Sequence, residues 1–449
     1  MRSTITYCYP MDMTSLTAKK EKLWSPIFVI ILAMLLFSFM VGQGVNCGST
    51  VYLERTGGTV ALAGIGAMIF SAAAGVMRIC CGPLVDDRGR RFTLFIGAIF
   101  LLIGTIGPLV QNDGALFILW RALQGIGFSA ATTAANTAAA DVLPFTRLGE
   151  GIGYAGLGQA VAMAIGPALA LFLVSSNPPE NLYYGLAACS VLFLLLTLIC
   201  RYEKDPQLLP KTSEYRVRWE QEQSNSAQPR ERKSEAKGED SPAASKAATG
   251  SLRTFLDSIF EPTALRGTAV IVFMSAGFTF NVFYMGSFGN SLGVANSGLY
   301  YTIMAAVMIG VRLISGHFMD SISPLRLMGI AASSGVAAFA LAIGCGMQLF
   351  GSLTEPLFYA IGIPFGLFIG LGMPLNQTMA VKLTPPERWG AANALFLLGI
   401  DISGAVFSVI WGFLIESHGY PLAFAGCLFL QVIAFVVALI VYPKRDASA

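Results

Sequence analysis

The sequence predicts an all-α membrane protein with twelve spanning helices, arranged as two similar bundles of six. The first observation is composition: 55% of the 449 residues are hydrophobic and only 12% are charged, about half the charged fraction of an ordinary soluble protein. The second is the recurrence of apolar runs long enough to cross a bilayer, which takes roughly 20 residues. The third is an internal repeat, because the pattern Arg-x-x-x-Gly-x-x-x-Asp that starts at Arg78 returns at Arg312.

A second repeated pattern supports the division into two halves. Pro-x-x-Arg-x-Gly starts at Pro144, after the fourth apolar run, and returns at Pro385, after the tenth. Chance similarity between apolar helices would not place charged signatures at matching helix ends. The halves are therefore predicted to be related by duplication, with a binding site between them near the middle of the membrane.

Each predicted span is an apolar run bounded by polar or charged residues. The twelve spans are 26–47, 60–84, 92–110, 115–140, 151–174, 182–200, 268–288, 297–318, 325–347, 357–381, 391–415 and 421–442. They divide the chain into an amino-terminal tail (1–25), a first six-helix bundle (26–201), a linker (202–250), an interfacial amphipathic helix (251–265), a second six-helix bundle (266–443) and a carboxyl-terminal tail (444–449).

Lysine and arginine predict how the spans are oriented. With both termini in the cytoplasm, all but four of the 29 basic residues lie in cytoplasmic segments; the exceptions are Arg55, outside, and Arg78, Arg121 and Arg312, within spans. An excess of basic residues in cytoplasmic loops is the usual arrangement. We therefore expect a multi-pass protein of the cell membrane with cytoplasmic termini. The first span is too long for the core of a signal peptide and is expected to remain as a helix.

The linker differs in kind from the rest of the chain. It is rich in Glu, Lys, Arg, Ser, Gln, Pro and Ala, which predicts disorder because such a segment buries too little apolar surface to fold. After it, apolar residues between Leu252 and Phe260 recur at helical spacing and predict a short amphipathic helix on the inner membrane surface. A soluble regulatory domain within the linker is the alternative.

A short charged connection joins the second and third spans. A turn this short makes the two spans antiparallel neighbours and places the turn at a water boundary. The pattern of the turn is Gly-x-x-x-Asp-x-x-Gly-Arg-Arg, and we refer to it as the charged turn; its characteristic residues are Gly82, Asp86, Arg88, Gly89, Arg90 and Arg91. This pattern resembles the loop between helices 2 and 3 of major facilitator superfamily transporters.

The resemblance implies that the charged turn belongs to a gate. In the family, the residue that matches Asp86 packs against the start of helix 11 when the inner gate is closed, and Arg90 is expected to bridge Asp86 to Asp141 at the end of the fourth span. The sequence departs from the family pattern in having Asp87 where a basic residue is usual. The simpler alternative is charge that only sets topology, which explains the arginines but not the paired glycines.

Two further stretches resemble family motifs. Arg121-x-x-Gln124-Gly125 in the fourth span resembles the family's Arg-x-x-Gln-Gly, whose Arg is implicated in proton coupling; an Arg this deep requires a partner or a wet cavity. Gly166-Pro167 in the fifth span resembles the Gly-Pro signature of drug:proton antiporters, which is associated with export. Ala162 and Ala170 depart from that signature, and an ordinary kinked helix is the alternative.

Candidate substrate-cavity residues are the polar side chains of helices 1, 4, 7 and 10, which line the cavity in the family. They are Gln43, Asn46, Gln124, Asn281, Tyr284, Asn376 and Gln377. Any of them alternatively serves as a polar contact between helices. Few are charged, which favours neutral or cationic amphipathic substrates over phosphates.

Asp401 is the only acidic residue well inside an apolar span. A carboxylate there is costly when charged and tolerable when neutral, which is the behaviour that a proton carrier needs. The alternative is a structural Asp held by a buried cation, with Arg312 as a possible partner, or by Ser403 and neighbouring helices. We assign Asp401 and Arg121 as candidate proton-coupling residues.

These observations predict a transporter rather than an enzyme. No nucleotide-binding loop, catalytic triad or metal-ligand spacing occurs in the sequence, so we expect no cofactor and no metal, and the net charge of +3 is too small to indicate nucleic acid. The resemblance implies a proton-coupled exporter of small molecules, whose partners are its substrate, protons and the lipid bilayer, and which acts as a monomer. A proton-coupled importer or facilitator of a metabolite such as a sugar, and a non-transporting receptor or scaffold, are the alternatives.

Overall fold

The computed structural model of the chain describes residues 23–110, 113–144, 147–213, 215–217, 219–220, 223, 262–318, 322–384 and 389–442. Within these residues the chain forms twelve long helices; the tenth consists of two stretches separated by Ile361 alone. They are α1 Pro26–Arg55, α2 Val60–Arg88, α3 Arg90–Val110, α4 Gly114–Val142, α5 Leu148–Ser175, α6 Asn181–Ile199, α7 Pro262–Ser291, α8 Gly298–Phe318, α9 Pro324–Gly346, α10 Thr354–Ala360 with Gly362–Lys382, α11 Trp389–His418 and α12 Tyr420–Val441.

The predicted all-α membrane fold is confirmed in the described part of the chain. Eleven of these helices are long and apolar enough to cross a membrane, and α8 contains a shorter apolar stretch, Gly298–Ile314. Several helices extend beyond the apolar runs that predicted them. α1, for example, continues from the predicted end at residue 47 to Arg55, because residues 48–53 are buried by tertiary packing.

The helices form two groups, α1–α6 and α7–α12, which we call the N bundle and the C bundle. Helices within the N bundle approach closely at glycines: a Cβ added at Gly127 of α4 would collide with the backbone of Leu101 in α3. The bundles meet where α2 packs on α11, α1 on α7 and α5 on α8. Small residues at such contacts let helix backbones come together in lipid.

The two ends of the molecule differ in charge. We call the end at which α2 meets α3 the basic end; Arg88, Arg90 and Arg91 lie there. At the opposite end the described residues include five acidic side chains and one basic side chain, Arg55, so we call it the acidic end. The acidic residues are Glu54, Asp113, Glu180, Glu355 and Glu416.

Hydrogen bonds between the bundles occur near the acidic end as well as deeper in the molecule, where Arg312 of α8 contacts α5. Thr50 of α1 donates to the carbonyl oxygen of Phe283 in α7 at 2.7 Å, and Ser408 of α11 donates to the carbonyl oxygen of Gly64 in α2 at 3.3 Å. The described structure is therefore closed at the acidic end.

The predicted linker begins too early. Tyr202 and Leu209 are buried, and residues Pro206–Leu208 form a 3-10 turn against the basic end of the N bundle. These apolar side chains pack with the end of α4, although the average composition of 202–250 is polar. Residues 224–250, and most of the predicted amphipathic helix, lie outside the described residues; positions 262–265 of that predicted helix belong to α7.

Candidate functional site

Asp401 pairs with an arginine of the opposite bundle. The Nε atom of Arg78 in α2 lies 2.7 Å from Oδ2 of Asp401 in α11, and Nη1 of the same guanidinium lies 3.4 Å from the hydroxyl of Thr133 in α4. The side chains of Arg78 and Asp401 are only 14% and 13% exposed. A buried acid of the C bundle is therefore neutralised across the interface between the bundles.

Close packing of α2 on α11 places the two charges together. A Cβ added at Gly75, one turn before Arg78, would lie 3.4 Å from Cβ of Asp401, and one added at Gly404 would lie 2.6 Å from the hydroxyl of Ser71. Each glycine thus gives room to the facing helix. The suggestion that Arg312 is the partner of Asp401 is wrong, because Nη1 of Arg312 lies 3.3 Å from the carbonyl oxygen of Gly156 in α5.

Arg121 lies in a second buried cluster, between α1, α2 and α4. Its guanidinium donates to Asn46 Oδ1 at 2.6 Å and to Gln124 Oε1 at 2.9 Å, and it lies 4.7 Å from the ring centroid of Phe70. Gln124 in turn donates to the carbonyl oxygen of Gly104 at 2.8 Å. Neutral amide oxygens and an aromatic face therefore hold this cation.

The other predicted cavity residues fall in different surroundings. The amide of Asn281 is used inside the C bundle, where it accepts from the hydroxyl of Tyr300 at 2.6 Å. Asn376 is also fully buried there and accepts from the hydroxyl of Tyr442 at 2.5 Å, while the hydroxyl of Tyr284 donates to the carbonyl oxygen of Ser408. Gln43 is buried in α1 and Gln377 is exposed. The seven residues therefore do not share one polar surface: Asn281 lines a small apolar cavity inside the C bundle, and the amide of Asn376 is hydrogen-bonded within that bundle.

The charged turn is held at the end of α4 by an ion pair. Nε of Arg90 lies 2.7 Å from Oδ2 of Asp141, the contact expected from the sequence, and the hydroxyl of Tyr202 donates to the same carboxylate oxygen at 3.2 Å. The buried phenol of Tyr202 lies outside the spans, and burial raises its pKa well above the usual value, with Asp141 adding to the rise. It therefore stays a neutral hydrogen-bond donor over the physiological range.

Sequence analysis missed a second acid at this turn. The two carboxylate oxygens of Glu203 accept the backbone N–H groups of Arg90 and Arg91 at 2.8 and 2.9 Å, where they cap the start of α3. Gly89 between α2 and α3 has φ of +89°, a conformation that glycine adopts readily. Glu203 was overlooked because it lies in the segment that composition assigned to a disordered linker.

The remaining residues of the predicted gate are placed as follows. Arg88 is exposed and stands 5.8 Å from the ring centroid of Phe92, and Arg91 donates to the carbonyl oxygen of Leu198 at 3.4 Å. Gly82 and Asp86 lie in α2, and the side chain of Asp86 is outside the described residues. Gly166, followed by Pro167 inside α5, lets that helix approach α1: an added Cβ would lie 2.7 Å from the carbonyl oxygen of Met40.

The role of Asp86 as a gate stays a prediction that labelling tests. We expect Asp86→Asn to remove a charge–dipole contact of about 1 kcal/mol from the state that is closed at the basic end. The equilibrium between the two states then shifts about fivefold towards the state that is open at the basic end. The labelling rate of a cysteine introduced at the exposed position Gln377 should rise accordingly. Asp205→Asn, at an exposed acid of the same end, is the matched control. Equal labelling in both variants would leave Asp86 with no role beyond topology.

The fold and these motifs together define a membrane transporter built from two six-helix bundles. The family model of the Major Facilitator Superfamily matches residues 27–351 and 331–449. The chain therefore belongs to the Major Facilitator Superfamily, and it is a multi-pass membrane transporter of a small-molecule substrate rather than an enzyme.

Relatives and solved structures agree with this assignment. An uncharacterized MFS-type transporter of Methanocaldococcus jannaschii is 22% identical over 95% of this chain and 99% of its own length. The multidrug resistance protein MdtL of Salmonella dublin is 22% identical over 85% of this chain and 86% of its own length. The inward open structure of the xylose transporter XylE from E. coli has a TM-score of 0.70 at 14% identity, covering 94% of this chain and 98% of the transporter.

Proposed function

We propose that this transporter exports small amphipathic molecules across the cell membrane in exchange for protons, acting as a monomer by alternating access. The observation that carries the proposal is the Arg78–Asp401 pair, in which a titratable acid inside a span joins the two bundles. The distribution of basic residues supports a topology with both termini in the cytoplasm, which is part of the proposal. In this proposal the basic end is the cytoplasmic end, and the described state, which is closed at the acidic end, is the one that faces the cytoplasm.

The pair offers a simple way to couple a proton to bundle movement. An ionised Asp401 attracts Arg78, and a proton on Asp401 removes that attraction between charges and leaves only hydrogen bonds from the cation to neutral acceptors, Asp401 itself and Thr133. The attraction between the two charges offsets the cost of burying them. Protonation of Asp401 removes this attraction and therefore weakens the contact between the bundles. An ionised pair in the cytoplasm-facing state fits the stage of an antiport cycle after the proton has been released inside.

Two further observations support export of amphipathic molecules. The multidrug resistance proteins MdtL of Salmonella dublin and Salmonella paratyphi C align over 85% of this chain. In the interior, the side-chain oxygens of Asn46 and Gln124 accept hydrogen bonds from Arg121. These oxygens are therefore occupied by a cation and are not arranged to bind a polyhydroxylated substrate. We propose that Arg121 takes part in proton coupling from its separate cluster and that Gln43 and Gln377 belong to the cavity.

Transport in liposomes tests the proposal. Purified protein is reconstituted, and uptake of ethidium, as an amphipathic cation, and of xylose, as a sugar, is measured with the lumen acidified or alkalinised. Exchange for protons predicts that ethidium accumulates only with an acidic lumen and that an ionophore that collapses the gradient abolishes the accumulation; protein-free liposomes are the control. Accumulation of either compound with an alkaline lumen would indicate proton symport, and accumulation of xylose in place of ethidium with an acidic lumen would indicate a different substrate class; both would contradict the proposal.

A further inference from the structure

Two carboxylates at the acidic end bond from one bundle to the other. Glu416, in the last turn of α11, accepts the backbone N–H of Ala61 in the first turn of α2, with an N to Oε2 distance of 2.7 Å. Glu54, in the last turn of α1, accepts from the hydroxyl of Ser287 in α7, and that hydroxyl lies 2.6 Å from the hydroxyl of Tyr420. One carboxylate comes from each bundle, and each is bonded to the opposite bundle.

Both carboxylates stand where their own helices disfavour them. The carboxyl end of a helix carries partial negative charge, so an acid in the last turn is unfavourable, whereas an acid at the amino end of another helix is favourable. At the start of α2, Thr59 already accepts the N–H of Leu62 at 3.1 Å, and Glu416 supplies the acceptor for the neighbouring N–H of Ala61. The benefit of Glu416 therefore arises only while α11 and α2 are together at this end.

We infer that Glu416 and Glu54 form a latch that holds the acidic end closed. Alternating access requires the bundles to separate at that end, and both carboxylate contacts must break when they do. The latch therefore stabilises the state described here relative to the state that is open at the acidic end. This inference rests on alternating access alone and does not depend on the substrate or on proton coupling.

The native thiol of Cys47 reports on the latch. Cys47 lies in α1 between the bundles, two helical turns from Glu54, is fully buried and contacts the hydroxyl of Tyr301 at 3.2 Å. Since it is fully buried against the opposite bundle in the described state, we expect it to become reactive when the acidic end opens. Labelling by a polar maleimide in nanodiscs, quantified at Cys47 by peptide mass spectrometry, needs no removal of other cysteines.

Glu416→Gln is the main variant, because it keeps the shape of the side chain and removes its charge. We expect the labelling rate of Cys47 to rise about fivefold, and the rise to be greater in Glu54→Gln/Glu416→Gln. The matched control is Glu355→Gln: this carboxylate lies at the same end and accepts the N–H of Ala295 at 3.2 Å, but both residues belong to the C bundle. Labelling in the control should equal that of the unmodified protein.

The outcomes separate a latch from a general loss of stability. A rise in Glu416→Gln with an unchanged unfolding temperature and an unchanged control supports the latch. An unchanged rate in both Glu416→Gln and Glu54→Gln, or an equal rise in Glu355→Gln, would overturn it. The labelling measurement reports conformation and not transport. A result that overturns the latch would therefore not contradict proton-coupled export, and a failure of the transport experiment would not contradict the latch.

Discussion

Asp401→Asn is expected to abolish the accumulation of substrate driven by a pH gradient while leaving substrate binding and downhill exchange largely intact. Asparagine has nearly the same shape as aspartate and its side-chain oxygen still accepts a hydrogen bond from Arg78, whose Nε is 2.7 Å away. It cannot bind or release a proton. The variant therefore keeps the contact between α2 and α11 but uncouples it from the proton gradient. The measurement is uptake into proteoliposomes with and without an imposed pH gradient.

A second carboxylate provides the control for Asp401→Asn. Glu150 pairs with Arg147 at 2.8 Å, but its side chain is 47% exposed and lies at the basic end. Exposed ion pairs of this kind contribute little, with a median of about 0–1 kcal/mol, so Glu150→Gln should transport as the unmodified protein does. If Asp401→Asn still concentrates substrate against its gradient, Asp401 is not the obligatory coupling residue, whatever the effect on rate.

The sequence predicted the helices better than it predicted which side chains meet. Apolar runs of spanning length identify membrane helices directly, since lipid leaves the backbone few alternatives. Asp401 could be recognised because a lone acid in such a run is conspicuous. Its partner could not be recognised, because the sequence of one helix does not show which of its faces packs on a helix more than 300 residues away. The partner is Arg78 and not Arg312.

Residues near helix ends were the hardest to interpret from sequence. Glu54 and Glu416 look like ordinary boundary charges, and only the three-dimensional structure shows that each reaches the opposite bundle. Glu203 was hidden by the average composition of the segment around it. Asn376 illustrates the reverse case: its polarity suggested a cavity, but its side chain is fully buried and its amide forms hydrogen bonds inside the C bundle.

Gly125→Ala is expected to destabilise the folded protein by about 1–3 kcal/mol, the range for overpacking a tight contact. A Cβ at this position in α4 would collide with the backbone carbonyl oxygen of Phe70 in α2, which cannot move away as a flexible side chain does. The ring of the same Phe70 lies 4.7 Å from the guanidinium of Arg121. The glycine of the Arg121-Ala-Leu-Gln-Gly125 stretch therefore sets the separation of α2 and α4 that allows this contact.

Gly158→Ala is the matched control, because the same substitution in α5 introduces a Cβ that meets nothing within 4 Å. Replacing a helical glycine where there is space stabilises by up to about 1 kcal/mol through reduced backbone entropy. The free energy of unfolding of both variants, measured by denaturant titration in detergent micelles, should thus move in opposite directions. A Gly125→Ala variant as stable as Gly158→Ala would show that α2 and α4 have room to separate, and the close approach at Phe70 would then not be a requirement of the fold.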